Sequence, residues 1–337
     1  MDESIHQAHD KLFKSSFSDP ATAAALLRRQ LPETVVAAVD WDSLALRPGT
    51  FIDSQYRTSE SDLLFSAELV GAGAGDLPCY IYLLLEHVSS RDHYLALKLL
   101  RYLVRIWESE VARLEGDRTL RKLPLIIPLV VAQNGERWDL STRFIDLFAL
   151  PDRTGEDFAA FVPDFSFGLL QLAEQPFEAI AGTPAGILTL RVLKAERVGE
   201  LLDDAVWDEE LMTLLSQELF ERLLRYLLDG DIDRTAFERR INQITQPQIR
   251  RAAMTLAEQY IAEGIERGIE KGLEKGLEEG VEKGQKAYIL EALEIRFGEV
   301  PVGLREVIES LSGEARLREL HRAAIRSASL EEFAREM

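Results

Sequence analysis

The sequence predicts a mixed α/β first part followed by helical additions and a helical C-terminal tail, and three observations carry that prediction. Two strand-like runs, Asp62–Val70 (DLLFSAELV) and Cys79–His87 (CYIYLLLEH), stand on either side of GAGAGDLP, a loop with three glycines and a proline, which is the pattern of a hairpin. From Arg91 to Glu115 the residues Leu95, Leu99, Leu103, Ile106 and Leu114 recur near helical spacing, and a third apolar run, Leu125–Ala132, follows as a buried strand. Beyond residue 166 the apolar residues fall in Leu-rich helical pieces, with no convincing strand among them.

Taken in order, the chain opens its first clear helix at Asp19-Pro20, an N-cap followed by proline at the first helical position, and continues it through Ala21–Gln30. The hairpin, the amphipathic helix and the buried strand then give the order helix, hairpin, helix, strand. Leu169–Leu172, Leu188–Val198 and Glu209–Leu228 read as helices. The chain is punctuated at Pro151–Gly155, at Gly182–Gly186 and along a glycine ladder from Gly264 to Gly284. The expected organisation is a core at 1–165, a helical extension packed on it at 166–263, a ladder at 264–284 and a small helical module at 285–337.

The ladder, GIERGIEKGLEKGLEEGVEKG, has glycine at 264, 268, 272, 276, 280 and 284, with Ile, Leu or Val after each of the first five. A four-residue step advances about 40° on a 3.6-residue helix, so both rows wind slowly around the axis. Six glycines in an isolated helix cost roughly 5–6 kcal/mol relative to alanine. A glutamate in every repeat excludes a bilayer location. The ladder is either a solvated helical linker or a seam for self-association, and a homodimer through the helical C-terminal part is expected.

Composition bounds the rest. The chain has 337 residues, 46% of them hydrophobic, and a formal charge of −19, which allows roughly two domains with a real core. The single Cys79 excludes a disulfide framework or a cysteine-based zinc site and fits a reducing compartment. The acidic, polar start MDESIHQAHD is no signal peptide, and the longest apolar stretch, Leu123–Ala132, is too short to span a bilayer. A cytoplasmic protein with no membrane partner is expected. Net acidity argues against nucleic acid at first sight, yet residues 1–150 carry 16 basic and 21 acidic side chains, so most of the acidity lies later. Between Arg91 and Lys122 there are eight basic and five acidic residues, a local basic stripe.

Candidate chemistry lies in the first part. If the glycine-rich loop closes the hairpin, antiparallel pairing sets Asp62 within a residue or so of Glu86, about 5 Å apart across the ladder. Paired carboxylates call for a cation, and hard oxygen ligands suit Mg²⁺ or Mn²⁺. Such an ion activates water and neutralises charge developing on a phosphate. Arg91, Lys98, Arg101 and Arg105, at offsets 0, 7, 10 and 14, share one helix face beside it, where they are placed to hold a phosphate backbone. The alternative reading of both features is ordinary: surface carboxylates near strand ends, and a solvated charged face. The Walker, GxSxG and HExxH motifs are absent. His9 and His87 read as packing or hydrogen-bonding residues, His93 as a helix cap, Cys79 as a small buried residue, and the four tryptophans as core or interface anchors.

The runs HDKLFKSSF (His9–Phe17), Leu31-Pro32, SDLLF (Ser61–Phe65), YLLLEHVSSRD (Tyr82–Asp92), LKLLRYLVRIWE (Leu97–Glu108) and LPLIIPLVVAQNGERW (Leu123–Trp138) resemble the Rpn family of recombination-promoting nucleases, also labelled transposases, within the PD-(D/E)XK nuclease superfamily. The likeness covers most of residues 6–260 in the family's order, and the ladder and the RFGEVP module resemble segments often attached to such proteins. The resemblance implies a restriction-endonuclease-like core, a mixed central sheet flanked by helices, with an Mg²⁺-dependent site that hydrolyses double-stranded DNA. It implies Asp62 and Glu86 as metal ligands, the backbone carbonyl of His87 as a third, and Asp10 of HDKLFK as an additional acidic ligand.

One position departs from the pattern. Two residues after the glutamate, where the superfamily has Lys and this family usually Gln, stands Val88. An aliphatic side chain can neither orient the attacking water nor stabilise charge on the phosphate. Either Lys98 has taken over the catalytic role, or the domain is a slow or inactive nuclease that still binds DNA or associates with itself.

Overall fold

The computed structural model describes residues 3–47, 63–71, 79–86, 92–114, 122–133, 138–152, 154–230 and 232–337. The chain divides into two units, Met1–Ala257 and Glu258–Met337. The first begins with α1 (Glu3–Phe17), α2 (Pro20–Gln30) and α3 (Glu33–Ala38), then β1 (Val39–Leu46), β2 (Leu63–Leu69), β3 (Cys79–Glu86), α4 (Leu95–Leu114) and β4 (Ile126–Ala132). There follow α5 (Gly155–Ala159), β5 (Gly168–Gln171), α6 (Pro184–Val198), α7 (Glu209–Thr213), α8 (Gln217–Asp229), α9 (Arg234–Gln243) and α10 (Pro247–Phe297).

The start of α2 follows from its sequence. Asp19 accepts a hydrogen bond from the Thr22 backbone N–H at 2.9 Å, and Pro20 occupies the first helical turn, where its missing N–H removes no bond. The hairpin is present as an antiparallel ladder from Leu63↔Leu83 to Ala67↔Cys79. The strand after α4 is also present, pairing parallel with β3 from Tyr80↔Ile126 to Glu86↔Ala132. A parallel pair needs a crossover, and α4 supplies it. Among the described residues five strands run in sequence order, antiparallel from β1 to β3 and parallel from β3 to β5.

Two strands differ from the sequence-based expectation. Val39–Leu46 forms the edge strand β1, and Gly168–Gln171, read as part of a helical piece, forms β5 beside β4. Four residues are too few to display a period, so pairing with the exposed edge of β4 decides the conformation of β5. Glu209–Leu228, read as one helix, is split into α7 and α8, with Ser216 capping α8 by accepting the Leu219 N–H.

The sheet separates two cores by residue parity. Leu63, Phe65, Ala67, Ile81, Leu129 and Val131 face α1, α2, α6 and α8. Leu64, Tyr80, Val130 and Ala132 belong to the other core, with Leu95, Leu99, Tyr102 and Ile106 of α4. In the second unit the end of α10 packs with α11 (Val302–Ser310), α12 (Glu314–Arg326) and α13 (Leu330–Arg335) around Ile289, Leu293, Ile308, Leu317 and Phe333. Among the described residues no helix is long and apolar enough to cross a membrane.

Two tests address this packing. Phe65 is fully buried in β2, so Phe65→Ala is expected to lower unfolding free energy by about 3–5 kcal/mol in urea titration. Burial also raises two acids in β3: the Cys79 thiol from 9.0 to about 11 and the Tyr80 hydroxyl from 10.0 to about 12. Folding favours their neutral forms, so their stabilisation is complete below the unfolded values and is lost as pH rises through the folded ones. Thermal melting followed by circular dichroism is expected to hold steady up to about pH 9 and decline from there towards pH 12. In Cys79→Ala the decline should begin about one pH unit later, near the Tyr80 threshold of 10.0.

Candidate functional site

Because β2 and β3 are antiparallel and β3 and β4 parallel, the start of β2 and the ends of β3 and β4 lie at one end of the sheet. Glu86 is the last residue of β3, in register with Ala132. The described part of the β2–β3 ladder ends at Leu63↔Leu83, one residue short of Asp62. Asp62, His87, Val88 and Arg91 lie outside the described residues. Among the described residues no group of three His, Cys, Asp or Glu side chains is placed to hold a metal.

Asp10, the fourth predicted ligand, is buried on α1 beside His9. The buried neighbours of this segment, Leu12, Phe13 and Phe17, belong to the core on the sheet face opposite α4. His9 does what was expected of it as a hydrogen-bonding residue. Its Nδ1 shares a short hydrogen bond with the Tyr226 hydroxyl of α8, and the two rings meet edge to face at 5.2 Å between centroids. Burial, and then the nearby Glu196 carboxylate, hold the Tyr226 hydroxyl well above its ordinary range, so it stays protonated.

Close by in sequence, Gln133 follows directly on β4 and is buried. Its side-chain amide donates to the Leu193 carbonyl at 2.7 Å and to the Glu196 carboxylate at 3.3 Å. The pairs His9–Tyr226 and Gln133–Leu193 therefore tie α1 to α8, and the end of β4 to α6, next in register to Glu86. Sequence reasoning missed Tyr226, Gln133 and Glu196. The only signal was the presence of polar residues inside otherwise apolar helical and strand patterns, and their partners are 217 and 60 residues away.

The basic row is present on α4. Lys98 is half-buried, whereas Arg101 and Arg105 are exposed. Arg105 makes an exposed ion pair with Glu108 at 3.2 Å, which contributes little to stability. Tyr94, four residues before Lys98 and on the same face, is 62% exposed and stands edge to face with His93 at 5.2 Å. An exposed tyrosine leading a row of cations was also missed, although its i, i+4, i+7 spacing with Lys98 and Arg101 is visible in the sequence. His93, expected to cap this helix, does not do so. The neighbouring Asp92 accepts the Tyr94 N–H at 2.9 Å, a turn just ahead of α4. A cleft at this helix start is lined by Trp138, whose buried indole N–H has no partner. Asp92 and Asp146 lie there against Arg143, a balance that does not favour an anion.

The family described as "Putative transposase, YhgA-like" matches residues 7–225. The chain is similar to recombination-promoting nuclease RpnD of Escherichia coli O157:H7, at 32% identity over 263 residues, 74% of this chain and 93% of that protein. It is similar to RpnA of E. coli strain K12 at 27% identity over 264 residues, 76% of this chain and 84% of the relative. It also matches a protein named inactive recombination-promoting nuclease-like protein RpnE, from the same strain, at 28% identity over 266 residues, covering 76% and 82% respectively. No solved structure matches the chain significantly.

Tyr226→Phe tests the buried network. It removes the hydroxyl and with it the buried hydrogen bond to His9, so unfolding free energy is expected to fall by about 1–3 kcal/mol in chemical denaturation. A change within error would show that the His9–Tyr226 bond does not hold α1 against α8.

Proposed function

The chain belongs to the YhgA-like transposase family, and we propose on that footing that it is a metal-dependent DNA endonuclease with a PD-(D/E)XK core, acting in recombination or on mobile elements. The observation that carries the reading is the strand arrangement: an antiparallel hairpin, a helical crossover and a parallel strand bring the start of β2 and the end of β3 to one end of the sheet. In the sequence Asp62 directly precedes β2, and Glu86 is the last residue of β3.

In this reading Asp62, Glu86 and the His87 carbonyl hold Mg²⁺ or Mn²⁺, an all-oxygen set suited to a hard cation, while Asp10, on the segment of α1 that packs in the core opposite α4, is not part of the set. The ion, when bound, lowers the pKa of a water and offsets charge on the phosphate. The protein's own part is to hold the duplex: Arg91, Lys98, Arg101 and Arg105 contact successive phosphates along one strand. Lys98, the half-buried member of the row, takes the water-positioning role that Val88 cannot fill.

The second reading, a catalytically inactive nuclease fold that binds DNA or associates with itself, is favoured by Val88, and the word inactive stands in the name of one relative.

Plasmid incubated with Mg²⁺ or Mn²⁺ separates the two. Cleavage is expected from the parent chain, and a loss of roughly a hundredfold or more from Asp62→Ala or Glu86→Ala, since the metal supplies several kcal/mol to the transition state. Val88→Gln should raise the rate and Lys98→Ala lower it. No cleavage by the parent or by Val88→Gln, with DNA binding retained, supports the inactive reading instead. In both cases four phosphate contacts predict a binding constant whose logarithm falls with log salt at a slope of about −3 to −4.

A further inference from the structure

The start of α4 and the segments around Trp138, Arg143 and Phe167 enclose a cleft of about 50 Å³. That is room for about three to four waters, which in the liquid fill roughly 90–120 Å³, the bulk of one six-membered heteroaromatic ring with its substituents. Leu140, Leu147 and Phe167 give the cleft apolar walls.

Its polar groups are few and complementary. Trp138 forms part of the wall and is only 7% exposed, and its indole N–H has no acceptor among the described residues. A buried donor without a partner carries a free-energy cost that an incoming acceptor removes. Asp92 supplies the opposite group: one carboxylate oxygen accepts the Tyr94 N–H, and the other remains available as an acceptor. Arg143 is paired with Asp164, and Asp146 accepts from the Ser141 hydroxyl. The cleft is therefore acidic on balance, which disfavours a phosphate and suits a neutral ring carrying an amino donor beside an acceptor. His93, also in the lining, meets the Tyr94 ring edge to face at 5.2 Å, which sets Tyr94 at the rim. Tyr94 is 62% exposed and leads Lys98 and Arg101 along one helix face.

We propose that the cleft receives a single unpaired base of DNA lying along α4, with cytosine preferred. The inference rests on the reading of α4 as a DNA-binding face, and it is independent of whether the chain cuts DNA. The cytosine amino group donates to Asp92, its ring nitrogen or carbonyl accepts from Trp138, and Tyr94 stacks in the gap that the base leaves. Thymine has a carbonyl where cytosine has its amino group, so it would set oxygen against the Asp92 carboxylate. A base already unpaired costs least to extrude, which makes a duplex with a bulged or mismatched base the preferred substrate. The phosphates on either side stay with the cation row.

Fluorescence anisotropy with three labelled duplexes tests this: one fully paired, one with a bulged cytosine and one with a bulged thymine, all in EDTA so that no strand is cut. The bulged cytosine is expected to bind about tenfold tighter than the paired duplex, and the bulged thymine close to the paired one. Trp138→Phe keeps a ring and removes the N–H, so the gain for bulged cytosine should fall while affinity for the paired duplex stays level. Asp92→Asn can still accept the Tyr94 N–H and offers a donor in place of the second oxygen, so the preference should pass from cytosine to thymine. Tyr94→Ala should reduce the gain and Tyr94→Phe retain it. Bulged and paired duplexes bound alike by the parent, or a cytosine preference indifferent to both Trp138→Phe and Asp92→Asn, overturn the inference and leave the DNA-binding reading standing. No binding of any of the three removes that reading, and this inference with it.

Discussion

Strand β3 sets the architecture, because among the described strands it is the one that pairs antiparallel on one side and parallel on the other. Its antiparallel partner is the preceding strand, and its parallel partner is reached only by carrying the chain over one face of the sheet. α4 must therefore lie where it does, and the even-numbered residues Tyr80, Val130 and Ala132 must be apolar or small enough to pack beneath it. The odd-numbered residues Ile81, Leu129 and Val131 are committed by the same alternation to the layer of α1, α2, α6 and α8. A slip of one residue in β3 would exchange the two faces, so register here is strongly specified. The same geometry delivers the start of β2, the end of β3 and Gln133 after β4 to one end of the sheet.

What was legible in the sequence was local and long. DLLFSAELV, CYIYLLLEH and LPLIIPLVVA each hold enough apolar residues to declare a strand, and the 3.6-residue recurrence from Leu95 to Ile106 declares α4. The Asp19-Pro20 cap was legible because its chemistry acts within three residues. β5 was not, because four residues next to the edge of β4 take their conformation from the neighbour. β1 was not, since its pairing with β2 is interrupted between Asp40 and Ala45 and its burial is irregular. The buried polar residues were least legible of all. His9 needs Tyr226, and Glu110, fully buried on α4, needs Arg113, which donates to it at 2.8 Å. Glu110 and Arg113 are three residues apart and could have been paired from spacing, yet nothing in that spacing says which of the two is inside.

The acidity of the chain bears on nucleic acid only through distance. At physiological salt charges are screened beyond about 8 Å, so a phosphate on the outer face of α4 responds to Lys98, Arg101 and Arg105 and to the few acids beside them, such as Glu108. The excess of carboxylates after residue 150 acts as a diffuse field. That field opposes approach most at low salt, where the basic row attracts most strongly as well. Local attraction and global repulsion weaken together as salt rises, which is why net charge alone is a poor guide to whether this surface holds a polyanion.

α10 shows how a change of period marks a change of surroundings. At its start Ile249, Ala253 and Leu256 are buried at three- and four-residue spacings, the signature of a helix lying on a core. At its end Ile289, Leu290 and Leu293 are buried in the same way, in the core of the second unit. Between them the repeat becomes a strict four, glycine and aliphatic side by side, and no described residue covers it. An amphipathic helix on a globular core tolerates irregular spacing because the core adapts to it. A strict repeat of four is not the pattern of a helix lying on a core, and among the described residues the apolar row it makes is exposed.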